Sequence, residues 1–205
     1  MTHYFTNNKN LKSDPKELKV KINNTEFKFI SDNGVFSKNG LDFGTRTLLE
    51  TLPLDKMSGE VLDFGCGYGP IGIYISKMTA ANVDLIDVNN RSLDLAKKNA
   101  LLNNTQVNVF ESNIYENITK QYDYIISNPP IRVGKEILYK ILFEAKKHLK
   151  QNGELWIVIN KDQGAKTVAR DLEKEYEVSI VTKNKGFYII CARSNWQFEV
   201  FDVKL

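Results

Sequence analysis

Apolar and polar residues alternate along the first part of the chain. Leu18, Val20 and Ile22 are separated by Lys19 and Lys21, Phe27 and Phe29 by Lys28, and Asn23-Asn24 lies between the two runs. A period of two puts each apolar set on one face of a strand, and Asn tolerates the positive φ of a tight turn, so a β-hairpin is expected. Asp32-Asn33-Gly34 is a further turn, and Asp42 is placed to cap a helix through Leu48 and Leu49 that stops before Pro53. From Gly59 the rhythm changes. Strand-like runs at 61–64, 83–88, 107–110, 122–127, 155–159, 177–181 and 187–192 alternate with helical stretches near 70–78, 91–103, 135–149 and 163–175. Leu138, Ile141, Leu142, Ala145 and Leu149 form a stripe of helical period. Such alternation predicts an α/β fold, a mostly parallel sheet with helices on both faces. Only 182–186 separates the last two strands, so they form a hairpin and one of them runs antiparallel to the rest. The polar residues 1–16 read as a loose leader, and 195–205 as a tail or an extra strand.

Composition narrows the class. The chain has 205 residues, 42% hydrophobic and 26% charged, which is ordinary for a single globular domain. Its longest apolar run, 187–192, is six residues, against roughly 18–20 for a membrane span, and no secretory signal is read. Two distant cysteines, Cys66 and Cys191, and two histidines, His3 and His148, make no metal-ligating pattern, so no metal is expected. Free thiols suit a reducing compartment, so a cytoplasmic location is expected. The net charge is +3. The basic excess lies in 132–150, with six basic against two acidic residues, and in 1–40, with seven Lys against four acids. That distribution suits an anionic partner, or simply solvated helix and strand faces.

Two loops carry candidate chemistry. Asp63-Phe64-Gly65-Cys66-Gly67-Tyr68-Gly69-Pro70-Ile71-Gly72 joins a strand to a helix start. Its glycines allow a tight turn and close approach of a ligand to backbone. Gly67-x-Gly69-x-x-Gly72 alone fits a dinucleotide fingerprint. The leading Asp63, however, would welcome a cofactor with a cationic sulfonium and an amino-acid moiety, and would repel a pyrophosphate. Asp87, closing the next strand, can accept hydrogen bonds from both ribose hydroxyls of a nucleoside. The competing role, capping the following helix, is open to Asn89 and Asn90. Asn113, past the third strand of this series, is placed either to meet an adenine edge or to act as a loop residue. Ser127-Asn128-Pro129-Pro130-Ile131 forms the second loop, with two prolines that stiffen an extended segment at the sheet's C-terminal edge. The Asn128 side-chain oxygen and the Pro129 carbonyl can hold both hydrogens of a planar amine and free its lone pair for attack.

Taken in order, Gly34-Val35-Phe36-Ser37, Leu41-Asp42-Phe43-Gly44-Thr45, the Asp63–Gly72 loop, Asp87-Val88-Asn89 and Ser127-Asn128-Pro129-Pro130 resemble the class I S-adenosylmethionine-dependent methyltransferases. They resemble most the small-domain group that includes guanine-N2 methyltransferases of small-subunit ribosomal RNA. The likeness covers about 17–193. It implies a Rossmann-like sheet of seven strands behind a hairpin-and-helix extension over 17–53, with a core over 54–194. It also implies S-adenosylmethionine bound by Asp63, Gly65, Gly67, Tyr68, Gly69, Asp87, Asn113 and Asn128. Asn128 and Pro129 would be the catalytic amine acceptors, and Pro130, Ile131, Phe36 and Arg132 would meet the substrate, expected to be RNA of the small subunit or an assembly particle. Ile131 stands where the family often carries an aromatic residue that stacks on the target base. An aliphatic chain there lacks π-stacking, worth roughly 1–3 kcal/mol per base. The same Asn-Pro-Pro chemistry also serves a protein glutamine amide or a nucleic-acid adenine. A nicotinamide-dependent oxidoreductase and a non-catalytic RNA-binding module are the alternatives from other classes.

Overall fold

The computed structural model describes residues 12–129 and 134–195. The hairpin forms as expected. β1 (Lys16–Ile22) pairs antiparallel with β2 (Thr25–Ser31), and Asn23 and Asn24 turn the chain at φ 44° and 66°. Both turn residues are left-handed, the combination whose twist matches a two-residue hairpin. Its inner face buries Val20, Ile22, Phe27 and Phe29. The end of the leader is anchored, contrary to the loose segment expected. The Ser13 hydroxyl and the Asp14 amide both donate to the Asp32 carboxylate, at 2.7 and 2.6 Å. Residues 1–11 of that segment, and 196–205 of the tail, lie outside the described residues.

The main sheet contains β3 (Glu60–Phe64), β4 (Asn82–Asp87), β5 (Asn108–Glu111), β6 (Tyr122–Ser127), β7 (Leu149–Asn160), β8 (Glu177–Asn184) and β9 (Phe187–Arg193). Their order is β5-β4-β3-β6-β7-β9-β8, so the fold is α/β with a Rossmann-like, seven-stranded sheet. Pairs from β3 to β7 are parallel, and β9 runs antiparallel to both β7 and β8. The chain steps outward from β3 to β5 and then returns to the other side of β3 as β6. That reversal opens a crevice at the C-terminal ends of β3, β4 and β6, where ligands bind in open α/β sheets.

Side chains along each strand alternate between two apolar layers. One layer joins the hairpin and helices α1 (Phe43–Thr51), α2 (Pro70–Met78) and α3 (Asn90–Leu102) to Val61, Leu85, Ile126, Trp156 and Ile189. The other joins α4 (Lys135–His148) and α5 (Ala165–Leu172) to Leu62, Ile86, Ile125, Ile157 and Ile190. His148 belongs to the packing, stacked on Tyr115 with ring centroids 4.5 Å apart.

Element ends differ from the expectation in two places. β7 begins at Leu149, not 155, because α4 passes directly into the strand. Leu149 pairs with Tyr122, and the chain then bulges through Asn152 (φ 63°) before Glu154 rejoins Tyr124. Gly153 is required there, since a Cβ would lie 3.0 Å from the Lys150 and Tyr122 carbonyl oxygens. The last hairpin turns on two residues, Lys185 (φ 46°) and Gly186 (φ 85°), with Asn184 already paired to Phe187. The polar run 182–184 is strand because β8 is the sheet's edge, where exposed Lys and Asn are tolerated.

Candidate active site

Asp63 lies at the end of β3 and is fully buried. One carboxylate oxygen, Oδ2, accepts from the Gly72 amide at 2.8 Å, in the first turn of α2. The other, Oδ1, is buried with no hydrogen-bond partner. Burial raises its pKa, the Gly72 amide opposes that rise, and the neighbouring Asp87 charge adds to it, leaving Asp63 pushed up to about 7. A buried carboxylate oxygen without a donor costs free energy unless a ligand supplies one.

The glycine loop wraps this carboxylate. Gly65 (φ 69°) and Gly67 (φ 57°) hold left-handed backbone, and a Cβ at either would meet nothing within 4 Å. Their open side is a cradle that side chains would fill. Gly69 and Gly72 differ. A Cβ on Gly69 would lie 2.9 Å from Ile73, and one on Gly72 2.6 Å from Leu85, so both glycines let α2 press onto the sheet. Gly69 therefore shapes the loop from its packed side. The Tyr68 ring is buried edge-on against Phe29, 5.6 Å between centroids, with its hydroxyl unpartnered. Burial first, then the charge of Asp42, pushes its phenol well above the usual range. The Cys66 thiol is buried and likewise pushed up, so it stays protonated.

Asp87 ends β4 beside the cradle. Its Oδ2 accepts from Gly67 N and its Oδ1 from Asn89 N, each at 2.9 Å, and burial raises its pKa. The cap of α3 is Asn89, whose side chain accepts from the Arg91 and Ser92 amides, so Asp87 is released from that task. Each carboxylate oxygen keeps a second lone pair for a hydroxyl donor. Asn113 follows β5, exposed, with its amide on Glu116 at 2.9 Å. The next residue, Ile114, sits at φ 54°, a strained conformation for a β-branched side chain, with its carbonyl accepting from Ser112.

Asn128 follows β6, whose end is tied to β3 by Ser127 Oγ donating to the Phe64 carbonyl at 2.8 Å. The Asn128 amide nitrogen donates to Thr45 Oγ1 at 2.9 Å and reaches Asp42 Oδ1 at 3.4 Å. Asp42 also caps α1 as expected, accepting from the Thr45 amide at 3.0 Å. The β2–α1 loop that carries Phe36 is strapped to the start of α3. Asn89 donates to the Gly34 carbonyl at 3.1 Å and Arg91 to the Asn33 carbonyl at 2.7 Å. Phe36 exposes half its surface on that strap. Pro129 is buried beside Asn128. The other substrate residues expected, Pro130, Ile131 and Arg132, lie outside the described residues.

Sequence reasoning missed three groups. Thr45, far from Asn128 in the chain, was only part of a motif. Asn99 on α3 and Asn103, the C-cap of that helix, were not singled out, although buried Asn at i and i+4 was a visible signal. The third group is basic. Lys161, Lys183 and Lys185 are exposed around the β8–β9 turn, with Lys185 Nζ 5.0 Å over the Phe43 ring next to the α1 cap. The described part of the 132–150 stretch, 134–150, is in contrast not one face. α4 runs away from the site, and Lys146 and Lys150 pair at the far edge with Glu175 and Asp123, at 2.9 and 2.8 Å.

The residues present fit the cofactor implied by the family resemblance. Asp63 offers an unpartnered buried oxygen, Asp87 offers acceptors, and Gly65 and Gly67 leave backbone open between them.

Residues 26–191 match the family described as the methyltransferase small domain. The chain is 41% identical over 196 residues to Uncharacterized protein YbxB of Bacillus subtilis (strain 168), covering 93% of this chain and 98% of that protein. It is 42% identical over 162 residues to Ribosomal RNA small subunit methyltransferase C of Psychromonas ingrahamii, covering 77% of this chain and 45% of that protein. The chain thus spans about half the length of the methyltransferase C relatives it matches. A solved structure of the T. thermophilus 16S rRNA N2 methyltransferase RsmC, in complex with AdoMet and guanosine, superposes with a TM-score of 0.80. That match has 23% identity and covers 88% of this chain and 51% of that one, a likeness of fold.

Proposed function

The chain belongs to the methyltransferase small domain family of S-adenosylmethionine-dependent enzymes, and on that premise we propose that it methylates N2 of a guanine in small-subunit ribosomal RNA. The observation that carries this reading is the Asn128 amide. Its nitrogen is turned toward Thr45 and Asp42, so its oxygen is left to face an acceptor amine at the edge of the crevice. Relatives named Ribosomal RNA small subunit methyltransferase C support the substrate class.

S-adenosylmethionine, when bound, supplies a methyl group activated by the adjacent sulfonium. Asp63, Gly65, Gly67 and Asp87 would hold it over the ends of β3 and β4. Asn128 Oδ1 and the Pro129 carbonyl would then accept the two amine hydrogens and turn the nitrogen lone pair out of conjugation with the base. The amine becomes acidic only as its new bond forms, so a neutral amide and a carbonyl suffice to steady the growing positive charge. A guanine must be unpaired or flipped to present that amine.

The test is transfer of labelled methyl from S-adenosylmethionine into small-subunit RNA and particles taken from cells lacking the enzyme. The expected product is N2-methylguanine, with Asn128→Ala losing about 100-fold or more in rate while cofactor binding survives. Label in protein or DNA would overturn the substrate. Full turnover by Asn128→Ala would overturn the role of Asn128.

A further inference from the structure

We propose that Asp42 and Thr45, at the start of α1, are positioning residues that set which end of the Asn128 amide faces the acceptor; this rests on the reading of Asn128 given above. A primary amide has nearly the same shape in either orientation, but its ends have opposite polarity. Thr45 Oγ1, 2.9 Å from Asn128 Nδ2, does not decide between them, because a hydroxyl both accepts and donates. Asp42 does decide. Its carboxylate accepts only, and its Oδ1 lies 3.4 Å from the same nitrogen. The reversed amide would set Asn128 Oδ1 against an anion and leave both of its own hydrogens toward the target amine.

The pair is rigidly placed. Thr45 is buried, and its own amide donates to Asp42 Oδ1 at 3.0 Å, so the cap that starts α1 also fixes the carboxylate. Gly44 lies so close to Phe187 of β9 that a Cβ would be 2.8 Å from the ring, which locks the helix start against the sheet. The arrangement also has an electronic consequence. A carboxylate facing an amide N–H draws electron density toward the amide oxygen, strengthening it as an acceptor through linked hydrogen bonds. That oxygen meets a nitrogen whose positive charge grows in the transition state, so the gain falls on rate more than on ground-state binding.

The experiment compares Asp42→Gly, Thr45→Val and Thr45→Ser with the parent protein and Asn128→Ala, measuring kcat, KM for RNA, cofactor affinity and thermal unfolding. The oxygen that caps α1 is the one that faces Asn128, so an Asn at 42 would keep the acceptor; Gly is tolerated at a helix N-cap, so Asp42→Gly keeps α1 but removes the acceptor-only partner. The expected result for Asp42→Gly and Thr45→Val is a fall in kcat of about 10- to 100-fold. Cofactor affinity stays within about twofold, and Thr45→Ser restores most of the rate through its hydroxyl. If Thr45→Val does not fold, Asp42→Gly alone decides. Parental kcat in Asp42→Gly, or a loss confined to cofactor affinity or melting temperature, overturns the inference. If in that case Asn128→Ala is inactive, the reading of Asn128 survives; if Asn128→Ala turns over normally, that reading fails instead.

Discussion

Asp63 carries a stored electrostatic cost. Its ordinary pKa is 3.8, and burial, reinforced by Asp87, holds it near 7 in the folded protein. Between those values the native state keeps a proton that the unfolded chain has lost. Stability therefore falls as pH rises through that window, and the cost is fully present above about 7. A cation placed on the unpartnered oxygen favours the ionised form. The affinity for S-adenosylhomocysteine, whose amino group is cationic in this range, should tighten by up to about tenfold per pH unit as pH rises toward about 7, and level off above it. Calorimetric titration across that range should show a flat profile for Asp63→Asn; a parental profile in that variant would show that another group titrates. The glycines separate by the same logic. Gly67→Ala adds a methyl to open space at φ 57° and should weaken cofactor binding, with a modest stability loss of roughly 1–2 kcal/mol. Gly72→Ala forces a methyl to 2.6 Å from Leu85 and should cost about 1–3 kcal/mol in folding, with the cradle left open. Melting curves set beside calorimetric affinities distinguish the two.

At the scale of elements, the hairpin is held to the core by side chains that imitate a strand. Asn99 on α3 accepts from the Ile30 amide at 2.7 Å and donates to the Ile30 carbonyl at 2.9 Å. One helical turn on, Asn103 does the same for Lys28, at 3.1 and 2.7 Å. Residues four apart on a helix share a face, and residues two apart on a strand point the same way, so the two repeats mesh. Asn99 also donates to the Tyr68 carbonyl at 2.8 Å, linking hairpin, α3 and glycine loop. Each truncation leaves edge groups of β2 unpaired and should cost about 1–3 kcal/mol. Amide hydrogen exchange gives the local check. Asn99→Ala should speed exchange at Ile30, and Asn103→Ala at Lys28. Equal acceleration at both amides in either variant would mean the hairpin detaches as one unit.

Across the described residues, the β8–β9 turn and Lys161 bring basic side chains to the edge of the sheet that carries the site, whereas those at the end of α4 lie away from it. Counterions released from contacted phosphates give a salt slope of about 0.7–0.9 per contact. The double substitution Lys183→Glu and Lys185→Glu should weaken RNA binding and flatten that slope by about one to two contacts. Charge reversal at Lys146 and Lys147, at the opposite edge of the sheet, should leave the slope unchanged. Binding measured across a salt series checks both, and the reverse ranking would place the RNA on the α4 side.

The sequence by itself determined what depends on neighbours along the chain. Alternation and helical period marked the strands and α-helices among the described residues, because burying one face imposes those repeats. The Asn-Asn turn, the Asp42 cap and the run from Asp63 through the glycines were readable for the same reason, and so was the stiff Asn128-Pro129 segment. The lengths of β7 and β8 were less readable, since an edge strand and a bulge carry the polar residues of a loop. Only the tertiary structure decided which distant groups meet. Asn128 reaches Thr45 across 83 positions, and Asn99 reaches Ile30 across 69. The unpartnered oxygen of Asp63 and the division of the glycines into cradle and packing positions also belong to this level. These features arise where the sheet reverses direction and brings separate strand ends and helix starts together. No local pattern encodes that meeting, because each residue alone is equally content with a cap, a turn or water.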